Sequence, residues 1–154
     1  MKTTDSIDTS AEILENAVLP TIHEVHVDPS RHGPSTDDLP ASVKQNAANK
    51  SPAQWAYERL IIYIQNFEKQ LDADQEVAMG FTGSSAGTLR IEGLGYYDPD
   101  IVTFYGSNES GARTQLIQHV SQLNVMLMAL PKPNEQAEPN RIGFQLGKDL
   151  DAVT

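Results

Sequence analysis

Several groups of residues in this 154-residue chain have types that could do chemistry. His23, His26 and His32, with Glu24 and Asp28, could gather a transition metal. Their spacing is not that of a zinc protease, which needs two histidines four apart on one helix face, so no metal site is expected. Gly83-Ser84-Ser85-Ala86-Gly87 could form a nest of backbone N–H groups for an anion, but it lacks the Gly-Lys-Ser/Thr ending of a phosphate loop and reads as a permissive hairpin. Asp98 and Asp100 flank Pro99, and two carboxylates do not make a calcium site, so a turn is the better reading. Trp55, Tyr57, Tyr63, Tyr96, Tyr97 and Tyr105 could stack on bases, with Arg59, Arg90 and Arg113 supplying local charge; packing is their default use. No nucleophile, base and orienting residue form an evident set, and the chain has no cysteine. Enzyme activity and a cofactor are therefore not expected.

Composition narrows the choice further. Eleven basic and 21 acidic residues give a net charge of −10. Such a field repels phosphate backbones at long range and disfavours generic nucleic-acid binding, while leaving room for a local site. The absence of cysteine suits a reducing compartment, and Met1-Lys2-Thr3-Thr4-Asp5-Ser6 lacks an apolar signal core. The longest apolar run, Val125 to Leu130, is far too short for a membrane span. A cytoplasmic protein that does not enter the membrane is the expectation.

The elements that would position these residues are legible in the periodicity. Residues 1–50 hold four basic and eight acidic groups, four prolines and no aromatic residue, and read as a disordered acidic arm. Within it Ser10 could cap a brief helix carrying Ile13, Leu14, Ala17 and Val18, and Ile22 to Val27 is β-prone and could add to an exposed sheet edge. Either piece could dock on this chain or on a neighbour. Order is expected from Ser51, where Ser51-Pro52-Ala53-Gln54 combines a cap, a first-turn proline and a glutamine three residues on. Ala56, Leu60, Tyr63, Ile64, Phe67 and Leu71 then mark one helical face, and Trp55, Ile61 and Ile62 point to a second contact surface.

After Asp74 the period falls to two. Strands are expected at Val77 to Phe81, Thr88 to Tyr97, Ile101 to Tyr105, Arg113 to Val120 and Val125 to Leu130. A sixth is expected at Arg141 to Leu146, with Ile142, Phe144 and Leu146 aligned. Gly93 and Gly95 would let the second strand bend as small barrels require. The domain is thus placed at residues 51–146, a helix plus an antiparallel β-barrel of the Sm-like or SH3-like kind, with 147–154 as a flexible tail.

One helix followed by five short strands is the order of the Sm-like barrel, and Tyr97 to Pro131 resembles the bacterial Sm-like RNA chaperone Hfq. Tyr97-Asp98-Pro99-Asp100-Ile101-Val102-Thr103-Phe104 looks like that family's turn into its third strand. Leu116-Ile117-Gln118-His119-Val120-Ser121 looks like its tyrosine-lysine-histidine strand, with Gln118 where the family has lysine and His119 where it has histidine. Ser51 to Leu146 also looks like an uncharacterised family of bacterial and phage proteins. The Sm-like resemblance implies a homo-oligomer with a nucleotide or short RNA near its pore, contacted by Gln118 and His119; by residue type, Arg113 would add charge and Tyr105 stacking to that ligand site. The alternative is a protein-interaction or assembly adaptor, whose arm docks on a partner and whose barrel holds no small ligand.

Overall fold

The computed structural model describes residues 22–31, 33–34, 39–40, 49–81 and 87–151. Helix α1, Pro52–Glu68, begins where its cap dictates: Ser51 is extended and its side chain accepts the N–H of Gln54 at 3.0 Å. One face of α1 buries Ala53 and Ile64 against the main core, with Ala56, Leu60 and Phe67 packed beside them. The second contact surface is present too. Tyr57, Ile61 and Ile62 are buried with Leu39 and Leu150, and Ile22 and Trp55 pack against them.

The strands are β1 (Gln75–Phe81), β2 (Thr88–Tyr97), β3 (Ile101–Ser107), β4 (Arg113–His119) and β5 (Val125–Pro131). They form one antiparallel sheet in the order β4-β3-β2-β1-β5. A one-turn 3-10 helix, Val120–Gln122, separates β4 from β5. The start of β2 pairs with β1 through Leu89 and Thr88, and the rest of β2 pairs with β3. The sheet therefore bends along one strand. The bend carries a bulge: Ile91 pairs with Gly106 and Gly93 with Tyr105, leaving Glu92 between them. Gly106 stands where a Cβ would collide with the backbone carbonyl of Arg90, so this close approach needs glycine.

The expected barrel does not close. β4 and β5 lie at opposite ends of the sheet, and no β4–β5 ladder joins them. The concave side, which carries Val77, Met79, Phe81, Leu89, Ile91, Val102 and Phe104, is covered by helices instead. Burying a side chain of the size of Phe104 contributes about 1.5–3 kcal/mol, so a helical lid removes the main driving force for closure.

The second helix comes from a segment expected to be a strand. Residues 142–146 are not a sixth strand but part of α2, Ile142–Asp151. Ile142 and Leu150 are buried and Leu146 is half-buried, at helical spacing, while Phe144 is exposed. Gly143 and Gly147 face α1 so closely that a Cβ on Gly143 would lie 3.0 Å from Gln65 Cα, and one on Gly147 would collide with the Gln65 side chain. Gln65 Nε2 donates to the Gly143 carbonyl at 3.1 Å. Arg141 precedes the helix and donates to the carbonyls of Gln75 and Asp72, at 2.6 and 3.0 Å.

Of the arm, Leu39 is buried and Ile22 is half-buried on α1. The expected helix at Ser10 lies outside the described residues, as does most of the Gly83–Gly87 loop. No helix among the described residues is long and apolar enough to cross a membrane.

Candidate functional site

The register of β3 and β4 decides where the four expected ligand residues point. Tyr105 pairs with Gln115, Ser107 with Arg113, Ile101 with His119 and Val102 with Gln118. Side chains alternate across a strand, so Tyr105, Arg113, Ile117 and His119 share the convex outer face, while Gln118 shares the inner face with buried Val102 and Phe104. The four therefore do not converge. Gln118 and His119, neighbours in sequence, are on opposite faces, and Arg113 and His119 stand about 20 Å apart along one strand.

On the outer face the Tyr105 side chain lies over Gly93 and Gly95. Ile117 is 61% exposed and Tyr97 76%, so this face is partly apolar and open. On the inner face Gln118 Oε1 is buried with no hydrogen-bond partner among the described atoms.

His119 belongs to a hydrogen-bonded string that sequence reasoning missed. Its Nε2 lies 3.0 Å from Asp100 Oδ2, and its Nδ1 lies 2.8 Å from Ser121 Oγ. Serine, histidine and aspartate in line have the connectivity of a nucleophile, base and orienter. The same Nδ1, however, accepts the backbone N–H of Ser121 at 3.1 Å, and the Gln122 side chain accepts the His119 N–H at 3.0 Å. Nδ1 thus has its lone pair engaged and Nε2 carries the proton toward Asp100. This is the cap of the 3-10 turn, on an exposed surface. Only the strand register brings Asp100 to His119, and no spacing in the sequence signals that pairing.

Asp100 is part of a turn that gathers three elements. Asp98 accepts a hydrogen bond from Ser51 Oγ, the Pro99 carbonyl accepts the N–H of Ala53 at 2.9 Å, and the Asp100 carbonyl accepts that of Val120 at 2.8 Å. The turn reading of Asp98 and Asp100 thus gains a role, joining the start of α1 to the end of β4.

A cavity of about 320 Å³ lies between β1, β2 and the segment before α2, lined in part by Glu76, Arg90, Glu92, Glu138, Asn140 and Ile142. The bulge places Glu92 there. Arg90 is engaged by Glu76 at 3.3 Å and by the Pro131 carbonyl at 2.9 Å. Three carboxylates to one guanidinium repel an anionic ligand. Among the described residues no group of three or more histidine or acidic side chains could hold a metal ion. His26 is bonded to Glu24 at 2.8 Å, and His32 lies outside the described residues.

What the fold defines is a β-rich domain: one bent, open five-stranded sheet with two helices packed together on its concave side. The chain belongs to the family of unknown function DUF6173, which matches residues 42–145. No curated protein and no solved structure matches it.

Proposed function

We propose that the domain is a non-enzymatic, self-associating module whose copies join through the open edges of the sheet. One observation carries this reading. Among the described residues β4 and β5 each run for seven residues with one side unpaired, and apart from Arg113 at the start of β4 and Pro131 at the end of β5 neither has the usual protection of an edge. Natural edges are blunted by lysine, by proline within the strand or by inward charges. β5 has no charged residue from Val125 to Leu130, and β4 has only Arg113 and His119, at its ends. Ile117 on β4 is 61% exposed and Met126 on β5 50%, apolar surface that a second chain would cover.

The leading helix, the bent second strand and the one-turn helix before the fifth strand support the Sm-like comparison. Under it, repeated pairing of each copy with the next closes a ring. The experiment is the mass of the full chain in solution. We expect a multiple of 16.9 kDa, reduced to a single chain by a lysine at whichever edge does the pairing, Ile117→Lys for β4 or Met126→Lys for β5. Both positions are exposed, so a lysine there spares the core. A single-chain mass at every concentration up to the millimolar range sinks the proposal.

A second reading adds a nucleotide or short RNA as the ligand of the assembly. What favours it is that Tyr105, Arg113 and His119 share one face. The net charge of −10 and the pairing of His119 with Asp100 work against it. A thermal-shift screen with RNA oligomers and mononucleotides tests it, and no shift with any of them would leave the protein-assembly reading alone.

A further inference from the structure

We infer that the strand filling the β4 edge is Ile22–Val27 of a second copy of the chain. The inference rests on the self-association proposed above and names the segment that does the pairing.

The segment already has the form of a strand without a sheet. Ile22 is anchored on α1 beside Leu39 and Trp55, and the chain then runs on with neither helix nor ladder. Val25 is 84% exposed and Val27 102%. Glu24 and His26, two residues apart, are bonded to each other at 2.8 Å and so occupy one side of the extended chain. Val25 and Val27 share the other side. Immediately afterwards Asp28 closes a turn, its carboxylate accepting the N–H and hydroxyl of Ser30, and its carbonyl the N–H of Arg31. A β-branched segment with one polar and one apolar side is thereby anchored to the domain at Ile22 and closed by a local turn at Asp28. Being extended beforehand, it loses little freedom on pairing.

Charge selects the edge. Copies with a net charge of −10 repel one another, so contact is favoured where opposite charges meet. The segment carries Glu24, and Asp28 directly after it. β4 has the cationic Arg113 at one end, whereas β5 has no charged residue. The edge beside Arg113 fits an acidic strand, and the uncharged β5 edge does not select for one. The outer row of Tyr105 and Ile117 also lies directly beside that edge, where further apolar side chains would extend it.

Proline scanning of the full chain tests this. Val25→Pro and His26→Pro between them remove a ladder donor whichever side of the strand faces β4. One of the two is expected to reduce the assembly to the mass of a single chain, with Trp55 emission unchanged to show that Ile22 and the domain remain folded. The chain has no cysteine, so a Val25→Cys copy can be mixed with a Leu116→Cys or an Ile117→Cys copy. A mixed disulfide dimer is expected in one of these mixtures and not with Met126→Cys. Two outcomes overturn the inference while leaving self-association standing. One is assembly unaffected by both prolines yet dissolved by Ile117→Lys; the other is cross-linking of Val25→Cys to Met126→Cys alone. A chain that is monomeric in every arm overturns both.

Discussion

Glu68 Oε1 accepts the backbone N–H of Gly143 at 2.8 Å, so the last residue of α1 caps the start of α2. The first turn of a helix has N–H groups with no intrahelical partner and a positive end of its dipole, and a carboxylate satisfies both. The cap is buried, and Glu68 Oε2 has no partner there. Burial pushes the carboxyl above its ordinary value, against the Gly143 and Ile142 N–H groups and Arg141, which hold it down; Glu76 pushes in the same direction as burial.

A pH dependence follows. With its folded value raised, Glu68 binds its proton more tightly folded than unfolded. Its favourable contribution is full below the ordinary carboxylate range and is lost as pH rises through the raised value. Glu68→Gln has no such titration. The melting temperature of Glu68→Gln relative to the natural chain should therefore rise as pH increases above the ordinary carboxylate range. A gap that shrinks over this range would mean that the cap outweighs the burial.

The contact between the helices should be intolerant of bulk. Gly147→Ala places a methyl into the Gln65 side chain, and Gly143→Ala places one against Gln65 Cα and Glu68. Gly143→Ala is expected to lower stability by about 1–3 kcal/mol through overpacking against backbone, although alanine favours a helix over glycine. Gly147→Ala meets only the movable end of Gln65 and is expected to cost less. Urea unfolding measures both. A stabilised Gly143→Ala would show that α2 can move away from α1 without cost.

Lys50 and Glu58 form an ion pair at 2.5 Å whose side chains are each 3% exposed. Breaking a buried ion pair is costly, so Lys50→Met or Glu58→Gln should lower stability by about 3 kcal/mol. Lys50→Met with Glu58→Leu should recover a large part of that loss. A double variant as unstable as the sum of both would mean that the pair does more than neutralise itself.

His119 ties the 3-10 turn to Asp100. His119→Ala should cost about 1 kcal/mol, the scale of a lost cap, and Asp100→Asn somewhat less because an amide oxygen still accepts the Nε2 proton. Ester hydrolysis by the natural chain should not exceed that of Ser121→Ala. A rate that falls with Ser121→Ala would give the serine, histidine and aspartate string a catalytic meaning.

Much of the fold was readable because local signals were strong. The Ser51 cap and the change of period after Asp74 set α1 and five strands close to their observed limits. The expected sixth strand failed for a physical reason. Ile142, Phe144 and Leu146 alternate like a strand, yet Ile142, Leu146 and Leu150 with the glycines Gly143 and Gly147 make an equally good helical face. What decides between them is a groove on α1 far away in sequence. In β2 the alternation of Leu89 and Ile91 would carry Gly93 inward; the bulge at Glu92 reverses it, so Leu94 and Tyr96 turn to the helices. The site fared worse. That Gln118 and His119 must diverge was implicit in a period of two, but Asp100 at His119 required the register.

The turn from Asp98 to Asp100 bonds to Ser51, Ala53, Val120 and His119, and so ties the first turn of α1 to the far end of β4. Helix and sheet then have no easy way to open one at a time. The amides of Ala53 and Val120, 67 residues apart, should exchange with solvent at the same rate and by the same event, making this turn the point at which the domain unfolds as a single cooperative unit.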